Sequence, residues 1–571
     1  MTADPGRTVV IAATPTSNGD LHVGHLAGPY LAGDVYARYL SASGRPALYA
    51  TCTDDSQSYV LCTAVRRGMA PESLTAASTA AIEQTLEAMG ISMVGLPPID
   101  DRYRDTVLRF VTALHAAGRF RLKTVRLPYA TRAQTYLYDG LVSGTCPTCL
   151  AASSGGVCEA CGHPNNFDQL LDPRSSLDPT DPVTFREATV LVLPLEEYRD
   201  RLAAYYAART ATWRPHAAQL VRELLAGPLP EVPVTIPGTW GIPAPFPETP
   251  GQVLYPWIEA MPASMYSTWW CSAELGEVAA ETDQHWQAGA GAQVVYFHGF
   301  DNVYHWGVLD LVLLMAHGDR YLLPAGNVCN EFYELAGEKF STSRNHLIWG
   351  KDLLSSVPRD LIRFYLALTA PEFQRTSFSS ADLRSVSAAL LVEPWNRLAA
   401  LSRLPVGIGA GDALPTTEAG RHRATRMAER FQLCYELPTY SLGRAAGTVV
   451  GQLSRLRDAA EARAAGDRQG TPDQRALEPG DLDSRAGQLG DLLLEIRALL
   501  AGAAPILVDV ADRASAAGVE LRLTCDQPAT IAAFELPTVP TVPTGPTGPM
   551  RPGADGSTNG QPAVRPTAVH S

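Results

Sequence analysis

Lysine is nearly absent from this 571-residue chain: Lys123, Lys339 and Lys351 are its only three. With 46 basic against 59 acidic residues the net charge is −13. A general grip on polyanions relies on clustered Lys and Arg, so that class of function is disfavoured. Long apolar runs are also missing. The longest candidate, Ala498 to Val508, has 11 residues and contains Pro505, short of the roughly 18 that a membrane-spanning helix needs. The first ten residues have no basic stretch leading into an apolar core, as a secretory signal would, so a cytoplasmic protein without a membrane partner is expected. Ten cysteines are too few for a disulfide scaffold. No tryptophan stands after Trp395, and from about Leu536 the chain runs into Pro, Gly and Thr. Such a composition cannot bury enough surface to order itself, so residues 536–571 are expected to form a disordered tail.

What is present is a globular composition, 46% hydrophobic and 18% charged. At roughly 150 residues per domain it divides into three or four units. Thr8 to Ala13 is apolar and β-branched without alternation, as in a strand buried on both faces. Pro15, Asn18 and Gly19 follow as turn residues, and Asp20 is placed to cap a helix. Leu26, Tyr30, Val35 and Tyr39 then recur near helical spacing up to Gly44, and Ala47 to Cys52 forms a second apolar stretch ending on Asp54 and Asp55. This is a βαβ unit, the opening of a doubly wound parallel sheet. His22 and His25 lie at the helix start, where N–H groups and the dipole favour phosphate. Their imidazoles are suited to donate to phosphate oxygens as charge builds there. Gly24 between them leaves room for a flat ring.

Two further segments carry chemistry. Residues 337–345 read Gly-Glu-Lys-Phe-Ser-Thr-Ser-Arg-Asn. This small-residue loop can close over a triphosphate, with Lys339 as a point charge and Ser341 and Ser343 as hydrogen-bond donors. Cys146, Cys149, Cys158 and Cys161 form two CxxC pairs separated by eight residues. Paired CxxC turns present four thiolates to one ion, and four thiolates close the shell, so a structural zinc is expected.

The segment Pro15 to His25 resembles the HIGH signature of class I aminoacyl-tRNA synthetases, and its flanks are most similar to the methionyl-tRNA synthetases. The lysine loop resembles the KMSKS loop of that class, with Thr342 in place of the second lysine. Thr239–Pro243, Tyr255–Ala260, Phe300–Val303 and Arg363–Leu366 are similar to further segments in family order. The resemblance implies an α/β fold: a Rossmann-type parallel sheet with a zinc-knuckle insertion, then an α-helical bundle and the tail. The corresponding units are residues 1–120, 121–235, 236–380, 381–535 and 536–571. It also implies an ATP-dependent ligase that joins an amino acid to AMP and passes it to tRNA in protein biosynthesis. In this reading His22, His25, Lys339, Ser341 and Ser343 are catalytic, and Asn18, Gly19, Gly24, Asp301 and Arg344 help hold ATP, which is bound with Mg²⁺.

At the amino-acid end the match departs. One of Asp54 and Asp55 pairs with the substrate ammonium, by resemblance, and the other caps a loop. Trp257 matches a pocket aromatic. Beside the strand proline, flanked by Thr14 and Thr16, the family's tyrosine has become Thr16. The tyrosine seven residues past Trp257 is Ser264. The histidine five residues past Asp301 is Trp306, with His305 one position before it. Smaller and more polar walls point away from methionine, because a pocket that hydrogen-bonds its ligand rejects analogues lacking the group.

Residues 381–534 read as helices, with apolar residues at i, i+3 and i+4 in 389–404, 447–464 and 488–514. Residues 466–480 form a polar, mobile loop between them. The family uses such a bundle to read an anticodon, but its later tryptophan is missing and its first-helix asparagine falls at or near Ala399, with Ser402 beside it. From Leu391 to Pro540 there are 16 arginines, no lysine and 19 acidic residues. The expected acceptor is therefore either tRNA, by family default, or a small amine or peptide. A synthetase-like binding module without catalysis is the reading from another class. A monomer is expected.

Overall fold

A computed structural model describes residues 6–209, 213–340, 346–469 and 479–541, with only the backbone at residues 339, 466–469 and 479–484. The strand β1 (Arg7–Ala12) carries no hydrophobic alternation because both its faces are buried. Val9 and Ile11 enter one core, while Val10 and Ala12 enter the other. The chain then passes through α1 (Leu31–Ala42) to β2 (Ala47–Ala50), which pairs parallel to β1 from Thr8↔Ala47 to Ile11↔Ala50.

The helix expected from Leu21 onward differs from the one found. One turn, Val23–His25, is followed by a wide turn over Leu26–Tyr30 that contains Pro29 and a non-helical Gly28 at φ −92°, ψ −122°. Proline removes a helical donor and clashes with the turn before it. The long helix therefore starts only at Leu31, and its dipole does not begin at the histidines. The cap of the first turn is His22, whereas the Asp20 side chain accepts from Leu21 N–H at 2.7 Å and Thr85 Oγ1 at 2.8 Å.

An antiparallel ribbon, β3 (Arg121–Ala130) and β4 (Val183–Pro194), brackets the cysteine segment. After it come α2 (Pro256–Glu274), β5 (Ala292–Gly299) and β6 (Gly326–Asn330). β5 lies parallel on the other side of β1, from Arg7↔Ala292 to Ala12↔Phe297. The sheet order is β6-β5-β1-β2, all parallel. β1 thus sits where the strand order reverses. In open α/β sheets the crevice beyond the carboxyl ends at such a point is where ligands bind.

One sheet face continues into the helical region: Val10, Leu31, Phe364, Leu453 and Leu493 share a single core. That region holds α3 (Arg359–Leu368), α4 (Glu393–Leu401), α5 (Glu418–Tyr435), α6 (Leu442–Gln469), α7 (Pro479–Ala503) and α8 (Val508–Ala516). A fully buried ion pair joins sheet to bundle. Arg363 Nη2 lies 2.5 Å from Asp34 Oδ2, and the guanidinium also donates to the carbonyls of Ile506 and Pro505, both at 2.8 Å, and of Met89 at 3.2 Å. Removing one partner of such a pair leaves an uncompensated buried charge, at a cost of about 3–5 kcal/mol.

The ordered chain runs further than the composition suggested. Leu536 and Val539 are buried, the Trp395 indole donates to Pro537 O at 2.8 Å, and the Asn396 amide pairs with Val539 N and O at 2.8 and 2.9 Å. Two apolar side chains and three hydrogen bonds hold a strap that its Pro and Thr content concealed. The rest of the expected tail, 542–571, lies outside the described residues. So does the centre of the expected mobile loop, 470–478, whose two edges are helical backbone. Among the described residues no helix is long and apolar enough to cross a membrane.

Candidate active site

The nucleotide end forms where β1 releases the chain. The Pro15 carbonyl accepts from Asp54 N–H at 2.9 Å, Thr16 bridges to Asp54, and Asn18 N–H closes a turn onto Thr16 O at 2.8 Å. Asn18 and Gly19 are thereby held in a loop fastened to the end of β2. His22 and His25 cap one another: each backbone N–H donates to the other ring's Nδ1 at 3.3 Å. Their rings stack with centroids 3.7 Å apart and planes 14° apart. A neutral imidazole has one donor and one acceptor nitrogen, so accepting at Nδ1 places the proton on Nε2. Both rings therefore hold Nε2 as the donor a phosphate oxygen needs.

Gly24 has a flat ring beside it, as its lack of a side chain allows. A Cβ there would stand 3.0 Å from the His22 ring and 3.2 Å from Phe340 Cδ2. The flat group approaching its backbone is the side chain of Phe340, which lies over His22 with centroids 5.0 Å apart. Phe340 opens the segment Ser341–Asn345, which lies outside the described residues together with the Lys339 side chain. The far flank of that segment is fastened to the histidines as well. Val23 N–H donates to Ile348 O at 3.0 Å, Gly350 N–H donates to Leu21 O at 2.8 Å, and His22 bridges to Trp349. The two signatures, distant in sequence, thus meet through backbone bonds. Lys351 stands 4.0 Å from Asp20 in the same region, while Lys123 pairs with Glu231 on the insertion.

Asp54 and Asp55 have different tasks. Asp55 accepts from Ser17 Oγ at 2.6 Å, and its carbonyl accepts from the Trp240 indole at 2.8 Å, so it fastens the loop. Asp54 is buried and accepts from Gln57 Nε2 at 2.7 Å. Burial, then the nearby Glu259 carboxylate, push the Asp54 carboxyl well above its ordinary range. An ammonium group placed beside it would reverse that direction. Glu259, on α2, accepts from Tyr103 OH at 2.6 Å, and burial lifts it to about 7.

The side-chain end is built on α2 and on the turn after β5. Trp257 and Ser264, seven residues apart, share a helix face. Ser264 is buried, and its hydroxyl donates to Ala260 O at 3.1 Å, so its proton is committed to the helix. The Trp257 ring lies flat on His305, with centroids 3.4 Å apart and planes 3° apart. Trp306 is buried edge-on against Tyr296 at 4.9 Å. Asp301 follows β5 in a tight turn, and a Cβ at Gly299 would stand 2.6 Å from its Oδ1. Thr14, half-buried, ends the β1 exit.

Three participants were not evident in the sequence. Asp139, from the insertion, reaches the same neighbourhood: Tyr255 OH donates to its Oδ1 at 2.7 Å, and the Trp257 indole also bonds its carboxyl. Burial lifts the Asp139 carboxyl to about 7. Glu259 lay inside a segment quoted only for its resemblance. Phe340 stood within the lysine loop, where its ring gave no sign of packing on a histidine.

The cysteines converge as expected. All four sulfurs lie within 4.8 Å of one another, with Cys146–Cys161 at 3.8 Å and Cys149–Cys158 at 3.7 Å. A tetrahedron with Zn–S near ~2.3 Å has edges of about 3.8 Å, so the donor set fits zinc. Two matching turns build it. Leu150 and Gly162 N–H donate to Cys146 and Cys158 O at 3.0 and 2.7 Å, and both adopt positive φ, 62° and 74°.

The family model of class I tRNA synthetases (M) matches residues 8–400. The methionine--tRNA ligase of Christiangramia forsetii is 30% identical over 391 residues, covering 67% of this chain and 56% of that protein. The corresponding ligase of Salinibacter ruber is 32% identical over 394 residues, covering 66% and 55%. The chain thus spans about half the length of the curated relatives it matches. Mycobacterium tuberculosis methionyl-tRNA synthetase, solved in complex with methionyl-adenylate, is similar with a TM-score of 0.70 at 19% identity, covering 94% of this chain and 99% of that one. That likeness concerns the fold. On the match over residues 8–400, the chain belongs to the family of class I tRNA synthetases (M).

Proposed function

We propose that this protein activates an amino acid with ATP, and that the amino acid is not methionine. The observation that carries the reading is the stacked His22–His25 pair, oriented by its mutual cap and fastened to both flanks of the lysine loop. A carboxylate oxygen of the amino acid attacks the α-phosphorus of ATP, supplied as its magnesium complex. The bond from that phosphorus to the bridging oxygen breaks, and pyrophosphate leaves with the electron pair. His22 and His25 donate from Nε2 to the α-phosphate oxygens as charge accumulates there. Lys339 and Arg344, with Ser341 and Ser343, hold the departing phosphates. Asn18, Gly19 and Asp301 border the nucleotide, and Asp54 receives the substrate ammonium. The four cysteines hold a structural zinc that fixes the insertion bearing Asp139.

For the acceptor, tRNA is the family default. The bundle favours a second reading, an amine of a small molecule or peptide. It carries no lysine and a slight excess of acid. Its first helix presents Asn396 three residues before Ala399, and that amide is occupied by the chain's own strap at Val539. Single-stranded loops are read by stacking on aromatics as well as by hydrogen bonds, and in the described bundle Trp395, Phe431, Tyr435, Tyr440 and Phe534 are all buried.

The test is pyrophosphate exchange into ATP across a full amino-acid panel. Exchange that depends on an amino acid other than methionine supports the reading. Exchange fastest with methionine overturns the substrate, and its absence with every amino acid leaves only a binding module. Charging of total tRNA, compared with hydroxamate or amide formation on added amines, then decides the acceptor.

A further inference from the structure

We propose that His305 reads an uncharged hydrogen-bonding group, such as an amide, ureido or hydroxyl, on the side chain of the activated amino acid. The inference rests on the adenylation reading above and deepens it.

His305 is 2% exposed, and among the described residues nothing hydrogen-bonds its Nδ1. An unpaired polar atom in a protein interior forfeits its bond to water, so buried polar groups nearly always have a partner. The ring has little freedom to find one by moving, because it lies flat on Trp257. The stack fixes the plane in which a partner must approach, since imidazole nitrogens bond in the ring plane. Whatever satisfies Nδ1 therefore comes from outside the described residues and from a set direction.

The surroundings indicate the chemistry of that group. The next residue, Trp306, is flanked on another side by His298, whose ring is 6.4 Å away and nearly parallel. His298 is fully buried; its Nδ1 bonds Gly299 O at 3.0 Å, and the Asn327 amide lies on its other side. Asn327 stands opposite Tyr296 in the sheet, buried, with its amide beside the rings of His298 and Tyr205. Burial keeps both imidazoles neutral, His305 down to about 3 and His298 to about 4. These neutral groups sit around an aromatic wall of Trp257 and Trp306. A buried carboxylate would lack a counter-charge among them, at a cost of several kcal/mol, and the nearby Asp139 carboxyl is already engaged by Tyr255 and the Trp257 indole. A thioether or alkyl chain would leave the His305 Nδ1 unpaired.

The decisive experiment measures pyrophosphate exchange for polar and apolar amino acids of matched size. Glutamine, citrulline, homoserine and tyrosine are set against methionine, norleucine and phenylalanine, with lysine and glutamate as charged controls. A polar uncharged amino acid is expected to have the highest kcat/KM. In His305→Phe, which keeps the stack and removes the nitrogens, the ratio of that value to its apolar counterpart should fall about tenfold to a hundredfold. His305→Asn, which keeps a polar group, should lose less of the ratio. The ratio does not depend on how much enzyme is folded. A preference for an apolar or charged amino acid, or a ratio unchanged in His305→Phe, overturns the assignment of His305 while leaving adenylation standing. Absence of exchange with every amino acid instead overturns the adenylation reading on which it rests.

Discussion

The two ends of the crevice are built on opposite plans. At the nucleotide end nearly every group finds its partner inside the chain. The histidines cap each other, Phe340 covers one of them, and backbone bonds to Ile348 and Gly350 fix the helical turn that carries them. At the side-chain end the His305 Nδ1 is buried without a partner among the described residues. A site whose polar groups satisfy one another is preorganised for a common step, and stabilises charge without reorganising at the moment of reaction. A site with an unpaired group is completed by its ligand, and so discriminates among ligands. On the proposed function, the difference separates what every adenylation requires from what selects the amino acid.

The largest effect should follow from breaking the first plan. In His25→Ala the mutual cap and the stacked donor are both lost. Loss of one positioned donor to developing charge typically costs about 10²–10³ in kcat. The fall in exchange should be of that size and equal for every amino acid, since the group touches no side chain. A fall that varied among amino acids would merge the two ends and defeat the comparison. A smaller effect is expected in Gly24→Ala. The added Cβ, 3.0 Å from the His22 ring and 3.2 Å from Phe340, must push one ring aside, and a misplaced group costs about 10-fold to 10²-fold. Again kcat should fall uniformly over the panel, with the zinc content unchanged.

Much of the nucleotide end was legible in the sequence, because its parts are local. A buried strand, a turn and two histidines three apart define most of it, and the CxxC spacing defines the knuckle as completely. What could not be read there was pairing at a distance. Nothing in the order of residues shows that Phe340 packs beside Gly24, or that Pro29 and Gly28 interrupt the helix enough to move its start to Leu31. Asp139 was hidden in the same way: it stands seven residues before the first cysteine, and only the fold carries it to Tyr255 and Trp257. The departures at Ser264 and Trp306 were visible as residues. Their consequence was not, because Ser264 turns its hydroxyl to its own helix and the unpaired nitrogen belongs to His305, its neighbour in the turn.

Asp139 gives the smallest and most direct test of the second plan, because an incompletely satisfied site should reveal itself in stability alone. Its Oδ1 accepts from Tyr255 at 2.7 Å, the Trp257 indole bonds the same carboxyl, and burial outweighs both to hold it at about 7. In the unfolded chain the same carboxyl titrates near ~3.9. Below about pH 4 both states are protonated and Asp139 adds no pH dependence. Between about pH 4 and 7 the folded protein keeps a proton that the unfolded chain releases, so stability falls as pH rises through this window. Above about 7 both states are ionised and the full cost of the buried charge is present. Glu259, also lifted to about 7, acts with the same sign. Asp139→Asn cannot ionise, so it should remove up to one proton's share of the slope, ~1.4 kcal/mol per pH unit at most, and leave that of Glu259. Urea unfolding midpoints of the two proteins at pH 5, 6 and 7 measure this: the variant's should vary less. Equal slopes would mean that Asp139 ionises in its ordinary range within the fold, and that the insertion side of the pocket is as well satisfied as the histidines opposite.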